Sequence, residues 1–252
     1  MSKVVTGFGA QLDLYGWLEM TFTSKLVVFD CDGTLVDSQH LIVESMRLSF
    51  EGSGLAAPER TAILRTVGLS VPEAMRVLAQ EQSRGTRDEL VRSYREWCMV
   101  LRRQPNTDEP LFQGAASLLF SLAAREDVLL GLATGKSRRG VTRFIEQNGL
   151  QGIFATVQTA DDAPSKPHPA MLLQAMEETG ATPGTTIMIG DTSYDMLMAS
   201  CANVEGIGVS WGYHSVADLK KGGAKTIIRS FAALEHALQA ARQPAAQYEA
   251  VA

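Results

Sequence analysis

The chain has 252 residues, of which 45% are hydrophobic and 20% are charged, and its formal net charge is −5. This composition is typical of a globular protein, and the acidic balance gives no reason to expect a nucleic acid or an anionic membrane as a partner. The three cysteines are far apart, which excludes a disulfide framework and a cysteine metal motif and is consistent with a reducing cytoplasm.

The first 20 residues do not fit a regular unit, and we expect residues 1–20 to form an N-terminal extension with Met20 as an alternative start. No apolar run approaches the length of a membrane span. Asp13 and Glu19 interrupt any pattern of a signal peptide. At the other end, we expect the Ala-rich residues 242–252 to fray.

Short apolar runs typical of buried strands alternate with helical patterns along most of the chain. The expected strands are Leu26–Asp30, Val128–Thr134, Ile153–Val157, Thr186–Asp191, Gly206–Ser210 and Thr226–Ile228. The expected helices between and after them are Arg138–Gln147, Pro169–Glu178, Tyr194–Ala202 and Phe231–Ala240. This alternation predicts an α/β fold with a Rossmann-like parallel sheet and helices on both of its faces.

One stretch between the first two strands breaks the alternation. It has helical periodicity but no convincing strand, with expected helices around Leu41–Phe50, Glu73–Glu81 and Arg87–Arg103. We interpret residues 38–111 as a small helical cap domain, inserted into an α/β core of residues 21–37 and 112–252.

Two carboxylates stand at the end of the first expected strand, in the run Asp30-Cys31-Asp32-Gly33-Thr34. Residues two apart in an extended chain point to the same side, so Asp30 and Asp32 are expected to face one site. At about 4 Å two such charges repel by roughly 1 kcal/mol in water and about 4 kcal/mol at an effective dielectric of 20. A bound cation, or one acid that attacks while the other carries a proton, would explain the pair; a solvated turn is the alternative.

Other polar residues also follow expected strands or precede helices: Thr134-Gly135-Lys136, Lys166, Asp191 and Asp195. Ligands of open parallel sheets bind beyond the carboxyl ends of the strands, so we expect these residues to converge. A hydroxyl and N–H groups at a helix start suit a phosphate oxygen, and four carboxylates suit Mg²⁺. The simpler alternatives are a plain turn, a solvated lysine and a helix cap with a first-turn acid.

Taken together and in this order, the four motifs resemble those of the haloacid dehalogenase superfamily over about residues 24–241. The helical stretch resembles that family's first type of cap, and the segments Asp30–Ser38 and Arg65–Gly68 resemble the phosphoglycolate phosphatase group. The resemblance implies a Mg²⁺-dependent phosphatase that hydrolyses a small phosphate monoester through an aspartyl-phosphate on Asp30.

The resemblance also implies roles for individual residues. The implied catalytic residues are Asp30 as nucleophile, Asp32 as general acid and base, Thr134 and Lys166. The implied substrate-binding residues are Gly33, Thr134, Gly135, Lys136, Lys166 and Arg65. The implied Mg²⁺ ligands are Asp30, Asp32 through its carbonyl, Asp191, and Asp195 as a ligand or an outer-shell partner.

Several other reactions of the superfamily remain to be weighed. Asp32 argues against a dehalogenase, because dehalogenases of the superfamily have no acid there. The absence of lysine between Lys25 and Lys136 argues against phosphonate cleavage through a Schiff base. A phosphomutase of the β-phosphoglucomutase type stays open, although Val67 stands where such a mutase usually has a lysine. A non-catalytic binding module also stays open, although none of the acids is missing.

The cap would carry the substrate specificity, and it contains ten arginines and no lysine. Arg65 would meet an anionic group of the substrate, such as a carboxylate, although a helix-surface role is the commoner one for such a residue. Phosphoglycolate, a sugar phosphate, a nucleoside monophosphate and pyrophosphate are all compatible with the sequence. We expect a cytoplasmic monomer or homodimer that acts on a small phosphorylated metabolite, without a nucleic acid or a membrane as partner.

Overall fold

The computed structural model describes residues 24–104 and 109–240. Its strands are β1 (Lys25–Phe29), β2 (Val128–Ala133), β3 (Phe154–Gln158), β4 (Thr186–Gly190), β5 (Glu205–Val209) and β6 (Thr226–Ile228). They form one sheet in the order β3-β2-β1-β4-β5-β6, and every neighbouring pair is parallel. Each strand lies within one residue of its predicted bounds, and the predicted parallel α/β sheet is confirmed.

Ten α-helices lie in the described residues. They are α1 (Gln39–Gly52), α2 (Arg60–Leu64), α3 (Val71–Leu78), α4 (Arg84–Leu101), α5 (Ala115–Ala123), α6 (Arg138–Gln147), α7 (Ala170–Thr179), α8 (Ser193–Cys201), α9 (Val216–Lys221) and α10 (Phe231–Ala240). None of these helices is both long enough and apolar enough to cross a membrane.

The central strand β1 supplies side chains to two hydrophobic cores, one on each face of the sheet. Val27 and Phe29 pack in a core that includes apolar residues of α5, α6 and α10. Leu26 and Val28 pack in a second core with residues of α7 and α8. Strands buried on both faces have continuous apolar sequences, and these short apolar runs allowed the strands to be located from the sequence.

Helices α1–α4, which we call the helical insert, lie between β1 and β2 in sequence and have their own hydrophobic cluster. Its most buried members are Met46, Phe50, Ile63, Met75 and Leu90. The predicted bounds of a cap domain, 38 and 111, stay a prediction, and residues 1–20 and 242–252 lie outside the described residues.

Two segments join the helical insert to the sheet: the first linker includes residues 36–38 and the second linker includes residues 109–111. The two linkers lie side by side. In the first linker, Asp37 N–H donates to the carbonyl of Pro110 in the second, at 2.9 Å. Next to this bond, Val36 and Leu111 form an isolated antiparallel bridge. Residues at the two ends of the insert are therefore held in a fixed register with one another.

Candidate active site

The predicted site residues gather where the carboxyl ends of three strands meet. Asp30 follows β1, Thr134 follows β2 and Asp191 follows β4, and all three residues are buried. This edge is where a parallel sheet binds ligands.

A buried lysine pairs with two carboxylates at this edge. Lys166 Nζ lies 2.8 Å from Asp30 Oδ1 and 2.6 Å from Asp195 Oδ1, and none of the three side chains is more than 1% exposed. Burial by itself would lower the pKa of Lys166, but Asp195 and Asp30 outweigh it and raise that pKa above its ordinary value. The lysine is therefore a buried cation, and the alternative of a solvated surface lysine is wrong.

Asp195 also caps the start of α8. Its Oδ2 accepts hydrogen bonds from the Thr192 N–H at 3.0 Å and the Thr192 hydroxyl at 2.7 Å. In return, the Thr192 hydroxyl oxygen accepts from the Asp195 N–H, which completes a capping box. Asp195 is thus a first-turn acid of α8, as one of the simpler alternatives predicted, whereas the N-cap residue is Thr192 and not Asp191; the other oxygen of Asp195 contacts Lys166.

Asp191 is held by groups from two loops. Its Oδ1 accepts from the Thr34 hydroxyl and its Oδ2 from the Tyr213 N–H, each at 2.8 Å. A Cβ atom at Gly33 or at Gly212 would collide with the Asp191 side chain. Gly33 therefore leaves room for Asp191, and its predicted contact with substrate stays a prediction.

The carboxylates of Asp30, Asp191 and Asp195 fit a divalent cation. Each offers an oxygen, and the three oxygens lie within 4.8 Å of one another. Asp30 Oδ2 is buried and has no hydrogen-bond partner among the residues that the structure describes. Burial, opposed by Lys166 and reinforced by Asp195, raises the pKa of Asp30 to about 7. Burial and the two neighbouring acids likewise raise the pKa of Asp191. A hard cation such as Mg²⁺ would relieve this repulsion.

Asp32 belongs to a separate network of polar side chains. Its Oδ1 accepts from the Ser38 hydroxyl and lies 2.6 Å from Lys136 Nζ. The same Lys136 ammonium lies 2.9 Å from Glu109, which in turn pairs with Arg102 at 2.8 Å. Lys136 was predicted to bind substrate; the structure places its ammonium between two carboxylates, and a contact with substrate stays a prediction.

Lys136 and Glu109 are charged despite their burial. Burial by itself would lower the pKa of Lys136, but Asp32 and Glu109 raise it above its ordinary value. Burial by itself would raise the pKa of Glu109, but Lys136 and Arg102 lower it to about 2. With all acids ionised, Glu109 and the four aspartates of the site exceed its three cationic side chains by two charges, which one Mg²⁺ would balance.

The loop after β5 contacts both the Asp191 site and the Asp32 network. Besides the Tyr213 N–H bond to Asp191, the Tyr213 hydroxyl oxygen accepts from the Ser38 N–H at 3.1 Å and lies 3.3 Å from Ser38 Oγ. Trp211 Nε1–H donates to the Thr34 carbonyl at 3.1 Å. One loop therefore braces the turn that carries Asp30 and Asp32.

Thr134 and Gly135 lie at the start of the turn after β2. The Thr134 hydroxyl oxygen accepts from the Lys136 N–H at 3.2 Å, which leaves its own proton free to donate. A Cβ atom at Gly135 would collide with the carbonyls of Gly68 and Leu69. The helical insert is therefore packed directly over the predicted phosphate-binding turn.

Arg65 contacts the sheet part of the molecule through its backbone. Its carbonyl accepts from the Tyr194 hydroxyl and lies 3.2 Å from His214 Nε2. Ser70 N–H nearby donates to the Ser165 hydroxyl at 2.8 Å. The Arg65 side chain is exposed, and its predicted role in substrate binding stays a prediction.

Sequence reasoning missed several residues of the site, among them Ser38, Tyr213 and Glu109. Ser38 lies within the first motif but carried no predicted role. Tyr213 follows the carboxyl end of β5, and that position alone was a usable signal. Glu109 is separated from Asp32 by the whole helical insert, and no pattern in the sequence connects the two.

Comparisons with known proteins identify the family of the chain. A family model described as haloacid dehalogenase-like hydrolase matches residues 27–209. The probable phosphatase IndB of Dickeya dadantii is 36% identical over 210 residues, which cover 82% of this chain and 90% of that protein. A phosphoglycolate phosphatase of Nitrosococcus oceani is 26% identical over 220 residues, which cover 86% and 97%.

A solved structure gives the same result. A protein described as a predicted phosphatase from Clostridium acetobutylicum is 25% identical, has a TM-score of 0.76, and is matched over 86% of this chain and 99% of its own. The resemblance inferred from the four motifs is confirmed: the chain belongs to the haloacid dehalogenase-like hydrolases, and it is an enzyme of the phosphatase type.

Proposed function

We propose that the protein is a Mg²⁺-dependent phosphatase that hydrolyses a small phosphate monoester through an aspartyl-phosphate on Asp30. The observation that carries this proposal is the environment of Asp30. One of its buried oxygens is bound by Lys166, and the other has no partner among the described residues. A buried carboxylate oxygen without a hydrogen-bond partner lowers the stability of the fold. Binding of a ligand or attack on a substrate by this oxygen would explain why it is present.

The chain's own residues supply each step of this reaction. An oxygen of Asp30 forms a bond to phosphorus while the bond to the leaving oxygen breaks, and Asp32 gives its proton to that oxygen. Asp32 then takes a proton from the water that attacks the phosphorus, the bond between Asp30 and phosphorus breaks, and phosphate is released. Lys166, the Thr134 hydroxyl and the Gly135 N–H would hold the phosphate oxygens.

Mg²⁺ would be held by Asp30, Asp191 and the backbone carbonyl of Asp32, with Asp195 as a further ligand or an outer-shell partner. When bound, it would neutralise charge on the phosphate and on the acids around it. Support comes from the close approach of the three buried carboxylates and from the two negative charges that the site's cations leave unbalanced.

A phosphomutase and a binding module are the alternatives. Val67 is 6% exposed and apolar where a mutase of the β-phosphoglucomutase type usually has a lysine, which favours hydrolysis. All four aspartates of the site are present: Asp30, Asp32 and Asp195 pair with lysines, and Asp191 accepts from the Thr34 hydroxyl. Their retention disfavours a module that only binds.

Phosphoglycolate is the first substrate to test, because the Nitrosococcus oceani relative is named a phosphoglycolate phosphatase. Sugar phosphates, nucleoside monophosphates and pyrophosphate complete the set. We also propose a cytoplasmic location, since all three cysteines are free thiols. The state of a monomer or homodimer, and the absence of nucleic acid and membrane partners, stay predictions.

The test is phosphate release from this panel with and without Mg²⁺, by the wild type, Asp30→Asn and a control, Asp127→Asn. Asp127 pairs with Arg125 outside the site. We expect Mg²⁺-dependent release by the wild type and the control, and a loss of at least about 10³-fold in Asp30→Asn. No release by the wild type from any compound would overturn a phosphatase, and an isomeric phosphate ester as product would identify a mutase.

A further inference from the structure

One oxygen of Asp32 is held from two opposite parts of the chain. The Ser38 hydroxyl and the Lys136 ammonium both bond to Oδ1. Neither contact comes from β1, the strand that precedes Asp32. The orientation of this carboxyl group therefore depends on how Ser38 and Lys136 are themselves held.

Lys136 is held in place by the second linker. Its Nζ lies 2.9 Å from Glu109 Oε1, and the Glu109 side chain is 14% exposed. Arg102, at the end of α4, donates to both oxygens of Glu109, at 2.8 Å and 3.3 Å. Glu109 is thus fixed by the helical insert on one side and fixes Lys136 on the other.

Ser38 is held in place by Tyr213. The Tyr213 hydroxyl oxygen accepts from the Ser38 N–H, and the hydroxyl lies 3.3 Å from Ser38 Oγ. Because Ser38 Oγ donates to Asp32, its lone pairs can accept the Tyr213 proton. The contacts form a directed chain from Tyr213 through Ser38 to Asp32, and Ser38 is the residue that immediately precedes α1.

We propose that Glu109 and Tyr213 are positioning residues for Asp32, Glu109 acting through Lys136 and Tyr213 acting through Ser38. Each of these two series of polar contacts includes one linker of the helical insert. Asp32 is therefore oriented for proton transfer when the insert is docked on the sheet. This inference rests on the proposed function, because it assumes that Asp32 protonates a leaving group.

The role makes a prediction that a purely structural role does not. A leaving alkoxide needs a proton from Asp32 as the bond to phosphorus breaks, whereas 4-nitrophenolate leaves without one. A misplaced Asp32 therefore slows the hydrolysis of an alkyl phosphate much more than that of 4-nitrophenyl phosphate. A general loosening of the fold slows both reactions alike.

The experiment compares kcat/KM for these two esters in Glu109→Gln, Tyr213→Phe and the wild type, all with saturating Mg²⁺. Both substitutions are close to isosteric, and Tyr213→Phe keeps the N–H bond to Asp191. Tyr194→Phe is the matched control, because it removes a hydroxyl that contacts the helical insert at Arg65 but does not reach Asp32.

We expect each variant to lose about tenfold to a hundredfold in kcat/KM for the alkyl ester. For 4-nitrophenyl phosphate kcat/KM should fall by less than about threefold, and Tyr194→Phe should change kcat/KM for both esters by the same factor. Equal losses on the two esters in Glu109→Gln and Tyr213→Phe would overturn the positioning role. A wild type that hydrolyses neither ester would instead overturn the proposed function.

Discussion

Replacing Asp30 by asparagine should stabilise the metal-free protein at neutral and alkaline pH. Asp30 is fully buried beside Asp195 and Asp191, and Lys166 is the cation that pairs with Asp30 and Asp195. Asparagine keeps the shape of the side chain but carries no charge. Lys166 keeps its second partner, Asp195, so the substitution does not leave the buried cation alone.

The size of the effect follows from the pKa of Asp30, which burial raises from 3.8 to about 7. Below the pKa of the unfolded state, Asp30 is protonated in both states and its burial carries no charge penalty. As pH rises toward the pKa of the folded state, the unfolded chain loses this proton more readily than the folded protein, so the free energy of unfolding decreases. One pKa unit corresponds to 1.36 kcal/mol, so ionised Asp30 costs on the order of 4 kcal/mol above pH 7. The asparagine variant avoids this cost, and its advantage should disappear toward pH 4.

Urea denaturation in the presence of a chelator, at pH 4, 5, 6, 7 and 8, measures the difference in the free energy of unfolding. We expect Asp30→Asn to exceed the wild type by a few kcal/mol at pH 8, and by less at each lower pH. Saturating Mg²⁺ should reduce or reverse the difference, because the ion binds the wild type more tightly. A variant that is less stable than the wild type at pH 8 without metal would refute the reasoning, as would a pH-independent gain.

Three further predictions follow from the same geometry. Lys166→Met should lower the free energy of unfolding at pH 7 by about 3–5 kcal/mol, because it leaves two buried carboxylates without their cation; urea denaturation measures this, and a loss under 1 kcal/mol would contradict the pairing. Gly212→Ala should weaken Mg²⁺ binding at least about tenfold, since the new Cβ atom displaces Asp191; calorimetric titration with Mg²⁺ checks it, and unchanged affinity would argue against Asp191 as a ligand. Removal of metal by a chelator should lower the Tm of the wild type, and Mg²⁺ should restore it there but not in Asp191→Asn; equal recovery in both proteins, followed by calorimetry, would place the ion elsewhere.

The sheet was predictable because each of its strands is a short apolar run between turn residues. Helix α5 was not predicted, because its sequence AASLLFSLA has too few polar residues to mark an exposed helix face. Helices α2 and α9 were not predicted either, because with five and six residues they have too few turns to show a helical period of apolar residues. In each case the local pattern carries too little information, and packing against the rest of the molecule decides the structure.

The residues of the candidate site also fall into a predictable and an unpredictable group. Asp30, Thr134 and Asp191 could be located because each follows a recognisable strand, and strand ends of a parallel sheet converge. Glu109 and Tyr213 could not, because their places depend on the register of two linkers and on a loop that folds back over the first motif. Contacts between residues so distant in sequence are set by the tertiary structure and leave no local periodicity.

The side-by-side linkers determine where the helical insert can be replaced by that of a relative. A chimera that replaces α1–α4 with the corresponding helices of a relative would preserve the Asp37–Pro110 bond and the Val36–Leu111 bridge if it is joined inside them. Arg102 directly follows α4 and would be exchanged together with that helix, whereas its partner Glu109 lies in the retained linker. A donor that lacks a cation at that position would therefore leave Glu109 with Lys136 alone, and substrate range and catalytic efficiency would change together in a single exchange.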